Sequence, residues 1–272
     1  MALPTLYHFA YSTCSQKVRM ALAEKGQKFE SREVNLLAGE QHDPEYVRLN
    51  PDHMVPTMVH RDEVLTESTL INDYIDQAFE GARLHSADAV HNYRAAAIIH
   101  HVDTKLHGKV TGVFSHGVLT RGMVSSRPPE AIQAYLDAIP NPAERRLRSS
   151  LIQHGAEAPE MPPAVAAMVD FFARMEALLG QQSWLSGDDF GLADICVIPY
   201  VARISEIGLT AFWSAGASPR VEQWLACAMA RPSYAGAFSQ WMPEATAEMF
   251  RTFGEAARPG IETIIRNKQG RS

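Results

Sequence analysis

The first eighty residues alternate between short runs that favour β-strands and longer stretches with apolar residues at helical spacing. The strand-like runs lie at 5–9, 29–34, 57–60 and 64–66. The helix-like stretches lie at 15–25, 43–49 and 68–80. The order is therefore βαβ, a short helix, ββ and a last helix. A mixed four-stranded sheet with helices on both faces satisfies this order most simply, so we predict an α/β domain over residues 1–82.

Beyond a small polar linker, the chain has helical periodicity and no strand pattern. Helix-like stretches lie at 93–116, 163–179, 192–206, 221–230 and 234–238. Residues 117–163, between the first two of these, are rich in proline, which predicts a long irregular connection with short helices near 130–138 and 143–153. We predict an all-helical domain over 88–257 and a partly mobile tail over 258–272.

Charge and composition exclude several classes of function. The chain has 25 basic and 31 acidic residues, a net charge of −6, which disfavours nonspecific nucleic-acid binding. Its three cysteines include no Cys-x-x-Cys pair, which favours a reducing compartment and excludes a local two-cysteine redox site. We find neither a signal-peptide pattern nor an apolar run of membrane length, so we expect a cytoplasmic protein with no membrane contact. The histidines of the first long helix lack a ligand spacing, so we predict no metal site.

The junction between the first strand and the first helix carries hydroxyls and a thiol. Ser12, Thr13 and Cys14 lie there in sequence. Free backbone N–H groups and the positive end of a helix dipole stabilise a thiolate at such a position. The alternative interpretation is that Ser12 or Thr13 only caps the helix.

Met54, Val55 and Pro56 come just before the third strand. A proline at a strand start cannot donate to the ladder, so we predict a turn with a cis Val55–Pro56 bond. The N–H and C=O groups of Val55 would then face outward, where they could pair antiparallel with a bound peptide.

Two further motifs carry polar groups suited to the ends of a peptide. Ser68 opens a helix whose N-terminus would receive a carboxylate, and Glu67 beside it would receive an ammonium group. Gln41 and His42 could reach a second carboxylate at the far end of the same ligand. The alternatives are a helix cap with a solvated acid at Glu67 and a plain surface turn at Gln41 and His42.

Together these motifs resemble those of the glutathione transferases. The resemblance rests on 12–19 (STCSQKVR), 50–56 (NPDHMVP) and 66–71 (TESTLI), and on 184–187 (WLSG) followed by 192–195 (LADI). It implies a thioredoxin-like domain that holds glutathione, an all-helical domain that holds an electrophile, and a homodimer. Asp194 would cap the central helix. Gly191 stands where the family usually has serine or threonine, which predicts that half of a capping box is missing at a small cost in stability.

The resemblance also implies a mechanism. Ser12 sits where theta- and zeta-like members keep the serine that faces the glutathione sulfur, but Cys14, Thr13 and Ser15 remain open alternatives for that role. A donating hydroxyl would lower the pKa of the thiol, and the thiolate would attack a hydrophobic electrophile. Tyr11 is a weaker candidate.

The segments 138–142 (AIPNP) and 145–148 (RRLR) are similar to an insertion in bacterial β-etherases and dichloromethane dehalogenase-like members. This similarity implies β-aryl ether cleavage or dehalogenation of an aromatic substrate, held by residues such as Tyr11, Phe114, Met123 and Tyr200. Two alternatives remain: a non-catalytic binding module, and a glutathione-dependent thiol-disulfide reductase that uses Cys14.

Overall fold

The computed structural model describes residues 3–213 and 217–269. These residues divide into two compact units, one within 1–99, 182–199 and 224–243, the other within 100–181, 200–223 and 244–272. The sequence suggests one domain that ends at 82 and another that begins at 88. These bounds stay predictions, because the two compact units are defined by contacts within the folded chain and do not show which segments fold independently.

A mixed four-stranded sheet forms in the first unit, as predicted. Its strands are β1 (Thr5–His8), β2 (Glu30–Glu33), β3 (Thr57–His60) and β4 (Glu63–Leu65), in the order β2-β1-β3-β4. Strands β1 and β2 are parallel, and the other two pairs are antiparallel. The β3–β4 turn places Arg61 and Asp62 at φ values of 53° and 65°, the conformation that a tight hairpin turn requires.

Three helices accompany this sheet: α1 (Thr13–Glu24), α2 (Pro44–Leu49) and α3 (Ser68–Ala78). A single 3₁₀ turn, Glu40–His42, precedes α2. Helices α1 and α3 pack against each other. Their apolar faces and those of β1 and β3 form a core whose most buried members are Leu6, Val18, Leu22, Met58, Ile71 and Ile75. Burial of these side chains is the main stabilising contribution to this layer.

The remainder is helical, as predicted, and no strand follows Leu65 within 3–213 and 217–269; an isolated bridge joins Trp184 and Gly187. The helices are α4 (Ala89–His101), α5 (Gly112–Phe114), α6 (Arg121–Val124), α7 (Pro129–Asp137), α8 (Pro142–His154), α9 (Met161–Leu179), α10 (Leu192–Glu206), α11 (Pro219–Met229), α12 (Pro232–Ala237) and α13 (Glu244–Gln269). Two π-helical segments, Val102–Thr111 and Ser115–Thr120, link α4, α5 and α6.

The predicted irregular connection over 117–163 is wrong in extent. The two short helices predicted there are confirmed as α7 and α8. Pro129 and Pro142 occupy the first turns of these helices, where the missing N–H has no helical partner to lose. The side chain of Asn141 also accepts from the first N–H groups of α8. Pro129 and Pro142 therefore mark helix starts rather than loops.

Helix α13 runs through residue 269, so it includes most of the segment that the sequence suggests as a tail. Residues 270–272 lie outside the described residues. In the second unit, α13 packs against α9.

Aromatic side chains fill the core of the second unit. The ring of Phe212 packs edge-on against those of Phe114 and Phe172. Tyr200 is fully buried, and its hydroxyl lies 3.2 Å from Nδ1 of His107. Phe114 and Tyr200 thus belong to this core, and the expectation that they line a site for the electrophile does not hold in this structure.

The loop before α10 supplies the half of the capping box that the sequence suggests is missing. Asp194 accepts the N–H of Gly191 at 3.2 Å, which is the expected half. The hydroxyl of Ser186 accepts the N–H groups of Ala193 and Asp194, at 3.0 and 3.4 Å. A Cβ on Gly191 would lie 2.4 Å from the carbonyl oxygen of Leu84. The preceding loop therefore replaces the usual hydroxyl, and the close backbone approach requires glycine.

Candidate active site

The strand register gathers the sequence-predicted motifs at one end of the sheet. Tyr7 on β1 pairs with Thr57, the first residue of β3, and the two strands are antiparallel. The segment that follows β1 and the segment that precedes β3 therefore leave the sheet at the same end. Met58 pairs with Leu65, so β4 also ends there, just before Glu67. Strand β2 is parallel to β1, and the chain that leads to Gln41 departs from that end too.

A tight turn at the end of β1 holds Ser12. The N–H of Ser12 donates to the carbonyl of Phe9 at 3.1 Å. Ser12 is the N-cap of α1, and its Oγ accepts the N–H of Ser15 at 3.2 Å. The Ser15 hydroxyl is buried and accepts the N–H of Phe9 at 3.3 Å, which ties the turn together.

This geometry confirms that Ser12 caps α1, and it leaves open a second role for Ser12 as a hydrogen-bond donor to the glutathione sulfur. A hydroxyl has one proton and two lone pairs, so accepting from Ser15 leaves the proton of Ser12 to be donated. Ser12 and Cys14 are half-buried, whereas Thr13 is buried. Of the three, Thr13 is therefore the least able to meet a bound sulfur.

The Val55–Pro56 peptide bond is cis, as predicted. Val55 is buried and precedes β3, whereas the side chain of Met54 is half exposed. The carbonyl of Met54 accepts the Tyr46 hydroxyl and, at 3.0 Å, the Asn50 side chain. Sequence reasoning missed Tyr46 as a support of this loop, because an aromatic residue in a short helix gives no such signal.

Glu67 and Ser68 form the start of α3. Ser68 is buried, and the Glu67 side chain is exposed and makes no capping bond to the helix. The backbone of Glu67 has φ 64° and ψ 104°, which is unfavourable for a residue with a Cβ. Such strain concentrates at ligand-binding sites, and the dipole of α3 adds a preference for a negative group.

Gln41 contacts His42, and His42 contacts His53, a histidine that sequence reasoning missed. Nε2 of Gln41 lies 3.1 Å from Nε2 of His42, and Nδ1 of His42 lies 3.1 Å from Nδ1 of His53. Oε1 of Gln41 is buried, and within the described ranges it has no hydrogen-bond partner. An amide donor of a bound peptide would satisfy this oxygen. His53 has a φ of 57°, and its only signal in the sequence is its place two residues before Val55.

A thioredoxin-like arrangement of sheet and helices, followed by helices alone, defines the class of this protein. The profile of the glutathione S-transferase N-terminal domain matches residues 6–83, and that of the C-terminal domain matches 129–227. The two matches cover more than half of the chain, which therefore belongs to the glutathione S-transferase family. It is a glutathione-dependent enzyme, and glutathione is its co-substrate.

Similar proteins include enzymes that act on several substrates. The chain is 29% identical over 219 residues to tetrachloro-p-hydroquinone reductive dehalogenase of Sphingobium chlorophenolicum, covering 77% of this chain and 86% of that protein. It is 27% identical over 245 residues to maleylacetoacetate isomerase of Pseudomonas aeruginosa, covering 89% and 99%. The fold resembles that of β-etherase LigF from Sphingobium sp. strain SYK-6, with a TM-score of 0.77 at 23% identity over 88% of this chain and 100% of that one. None of the helices within 3–213 and 217–269 combines the length and apolarity needed to span a bilayer.

Proposed function

We propose that this enzyme uses Ser12 to stabilise the glutathione thiolate for attack on a hydrophobic aromatic electrophile. The observation that carries the proposal is the geometry of Ser12. Its Oγ accepts from Ser15 at the N-terminus of α1 and keeps a proton to donate. It also lies at the end of the sheet where the predicted peptide-binding motifs meet.

Glutathione would bind across this end of the sheet. Glu67 would pair with its ammonium group, and the adjacent carboxylate would meet Ser68 at the N-terminus of α3. The backbone of Val55 would pair with the central peptide. The far carboxylate would lie near Gln41 and His42, with His53 as an additional partner.

The chemistry follows from the acidity of the thiol. A free thiol has a pKa of about 8.5, so little thiolate exists at neutral pH. Donation from Ser12 and the dipole of α1 favour the anion, and the thiol proton passes to solvent. The thiolate then forms a C–S bond to the electrophile as a C–O or C–halogen bond breaks, and the bonding electrons leave with an aryloxide or halide.

Aryl ethers and organic halides are the substrate classes that the comparisons support best. One relative is named as a dehalogenase of a chlorinated hydroquinone, and a structural neighbour is a β-etherase. Both names describe the loss of a leaving group from carbon, which attack by a thiolate can bring about. The reduction in the first name needs two further electrons, which a second thiol can supply by forming a disulfide with the glutathione sulfur. We also expect a homodimer and a cytoplasmic location, as the family resemblance implies.

Thiol-disulfide exchange through Cys14 is a second candidate function. Cys14 is the second residue of α1 and is half-buried, a position that favours a thiolate. Its thiolate would attack a glutathionyl disulfide, forming a Cys14–glutathione disulfide and releasing the other thiolate. A second glutathione would then release Cys14 and leave as oxidised glutathione.

A pH–rate comparison of Ser12→Ala and Cys14→Ala distinguishes the two functions. We expect Ser12→Ala to raise the pKa of bound glutathione by about one to two units, with little change in affinity, because the peptide is held elsewhere. Its rate should therefore fall most at low pH. Ser12→Thr, which keeps the hydroxyl and the helix cap, is the matched control.

The substrates for this comparison are a panel of β-aryl ethers, haloalkanes and aromatic halides, with and without glutathione. An inactive Cys14→Ala variant beside a normal Ser12→Ala variant would contradict the serine assignment. A glutathione adduct on Cys14, seen by mass spectrometry, would then support the reductase. Glutathione binding without turnover of any substrate would instead favour the non-catalytic module.

A further inference from the structure

A buried arginine of α1 contacts the turn that carries Ser12. Arg19 is only 1% exposed. Its Nη1 donates to the carbonyl of Phe9 at 3.2 Å, and its Nη2 donates to that of Ala10 at 2.7 Å. The carbonyl of Phe9 also accepts the N–H of Ser12. A single carbonyl oxygen therefore joins the guanidinium to the residue proposed to face the sulfur.

The same guanidinium extends to a distant part of the chain. Its Nε donates to the carbonyl of Ala237 at 2.9 Å, across 218 residues of sequence. The indole of Trp241 lies beneath it, 5.0 Å from the guanidinium carbon, and packs edge-on against His8. The segment containing Ala237 and Trp241 lies in the same compact unit as Arg19.

Arg19 also contacts the last residue of β1. Its Nη1 lies 3.0 Å from Nδ1 of His8, whose Nε2 lies 2.8 Å from the Ser31 hydroxyl on β2. Burial, and then the charge of Arg19, lowers the pKa of His8 to about 3, so the imidazole is neutral and Nδ1 can accept. The planar fork of an arginine suits this set of acceptors, whereas an ammonium is a point donor.

From these contacts, and given the proposed function, we infer that Arg19 is a positioning residue for thiol activation. It fixes the position of the turn Phe9–Ser12, so that the Ser12 hydroxyl and the start of α1 face the glutathione sulfur. Ala237 and Trp241 in turn fix the position of Arg19. Arg19 acts through the turn and does not touch the peptide part of glutathione. Its loss should therefore change the acidity of the bound thiol more than the affinity for glutathione.

The test measures the pKa of enzyme-bound glutathione by the ultraviolet absorbance of its thiolate, which needs no electrophile. For Arg19→Gln we expect an increase of about one pH unit, with glutathione affinity within about threefold of the parent. Arg19→Lys should not restore the parent value, because an ammonium cannot reach the carbonyls of Phe9, Ala10 and Ala237 together. With an electrophile, kcat at low pH should fall about tenfold while KM for glutathione changes little.

Arg231→Gln is the matched control. Arg231 also joins α1 to the α12 region, through two 2.8 Å bonds to Glu24 at the far end of α1. Its loss should lower thermal stability and leave the thiol pKa unchanged. If Arg231→Gln raises the pKa of the bound thiol as much as Arg19→Gln does, the increase comes from weaker packing between α1 and the α12 region. The inference about Arg19 is then overturned.

Two other outcomes would also overturn the inference: an unchanged pKa in a folded Arg19→Gln variant, or full rescue by lysine. If Arg19→Gln does not fold, Trp241→Leu decides, because it keeps Arg19 and removes the ring beneath it. We expect a smaller increase of the thiol pKa in Trp241→Leu, and no increase would reject the inference. A parent enzyme that binds glutathione without lowering its thiol pKa would instead refute the proposed function itself.

Discussion

At the scale of single residues, the side chain of Glu67 and its backbone have separable effects. The side chain is exposed and makes no capping bond, so the helix does not need its carboxylate. The backbone is held at a positive φ, a conformation that costs energy for a residue with a Cβ. The exposed carboxylate is therefore available for the proposed bond to the ammonium group of glutathione.

We expect Glu67→Gln to weaken glutathione binding by roughly 1.5–3 kcal/mol, because the ammonium loses a charge-assisted bond. Isothermal titration of glutathione into the variant would measure this loss. Glu63→Gln, an exposed acid on β4, is the control and should bind like the parent. Equal affinities for all three proteins would contradict the proposed orientation of the ligand.

Local motifs predict some residues of the candidate site, and tertiary contacts explain why they do not predict others. Ser12, Val55 and Glu67 were predicted because each lies in a motif that can be recognised from adjacent residues. His53 and Arg19 are not assigned to the site from sequence. His53 depends on a contact with His42 that the fold creates, and Arg19 depends on Ala237, 218 residues further along the chain. A side chain that positions a site through contacts with other segments cannot be recognised from the residues next to it in sequence.

At the scale of elements, strand and helix types are largely predictable from the sequence, whereas the extent of helix in the proline-rich region is not. Proline disrupts the interior of a helix but is accommodated in the first turn. The presence of a proline alone therefore does not distinguish a break in a helix from its start. Asn141 before Pro142 was the available signal for a helix start, since asparagine is a preferred cap. The capping of α10 was also beyond local patterns, because Ser186 comes from the preceding loop.

Two glycines in helical surroundings should respond oppositely to alanine. At Gly191 a Cβ would lie 2.4 Å from the Leu84 carbonyl oxygen, so Gly191→Ala should destabilise the protein by about 1–3 kcal/mol. At Gly108 a Cβ meets nothing within 4 Å, so Gly108→Ala should stabilise by about 0.5–1 kcal/mol. Urea unfolding of both variants would measure the difference. A stabilised Gly191→Ala variant would show that the loop at Leu84 can move aside.

At the scale of the whole molecule, each compact unit contains a histidine held neutral. Burial, and then the charge of Arg19, lowers the pKa of His8 to about 3 in the first unit. Burial, and then the charge of Arg148, lowers the pKa of His116 to about 3 in the second. Both side chains take up a proton near pH 6.5 when the chain unfolds. Acid therefore favours the unfolded chain in both units.

The stability contributed by His8 should be complete above pH 6.5 and lost as the pH falls towards 3. The unfolded state binds one more proton than the folded state in this window, which corresponds to about 1.4 kcal/mol per pH unit well below pH 6.5. His8→Gln should make the unfolding free energy less dependent on pH, because the variant takes up about one proton fewer on unfolding. Urea titrations between pH 6.5 and 5 would measure it, with the exposed His154→Gln as control. A parallel pH dependence in the parent and His8→Gln would contradict the assignment.

The bond from Arg19 to Ala237 also imposes an order of events on the growing chain. The residues of the Ser12 turn and of the sheet leave the ribosome before residues 224–243, which belong to the same compact unit. The bond that holds Arg19 from behind cannot form until Ala237 has been translated and has emerged. A nascent chain that stops before this point contains every residue proposed to touch glutathione and still lacks part of the support for its thiol site. With Arg19 in its proposed role, full activation of the thiol therefore has to wait for the translation of Ala237.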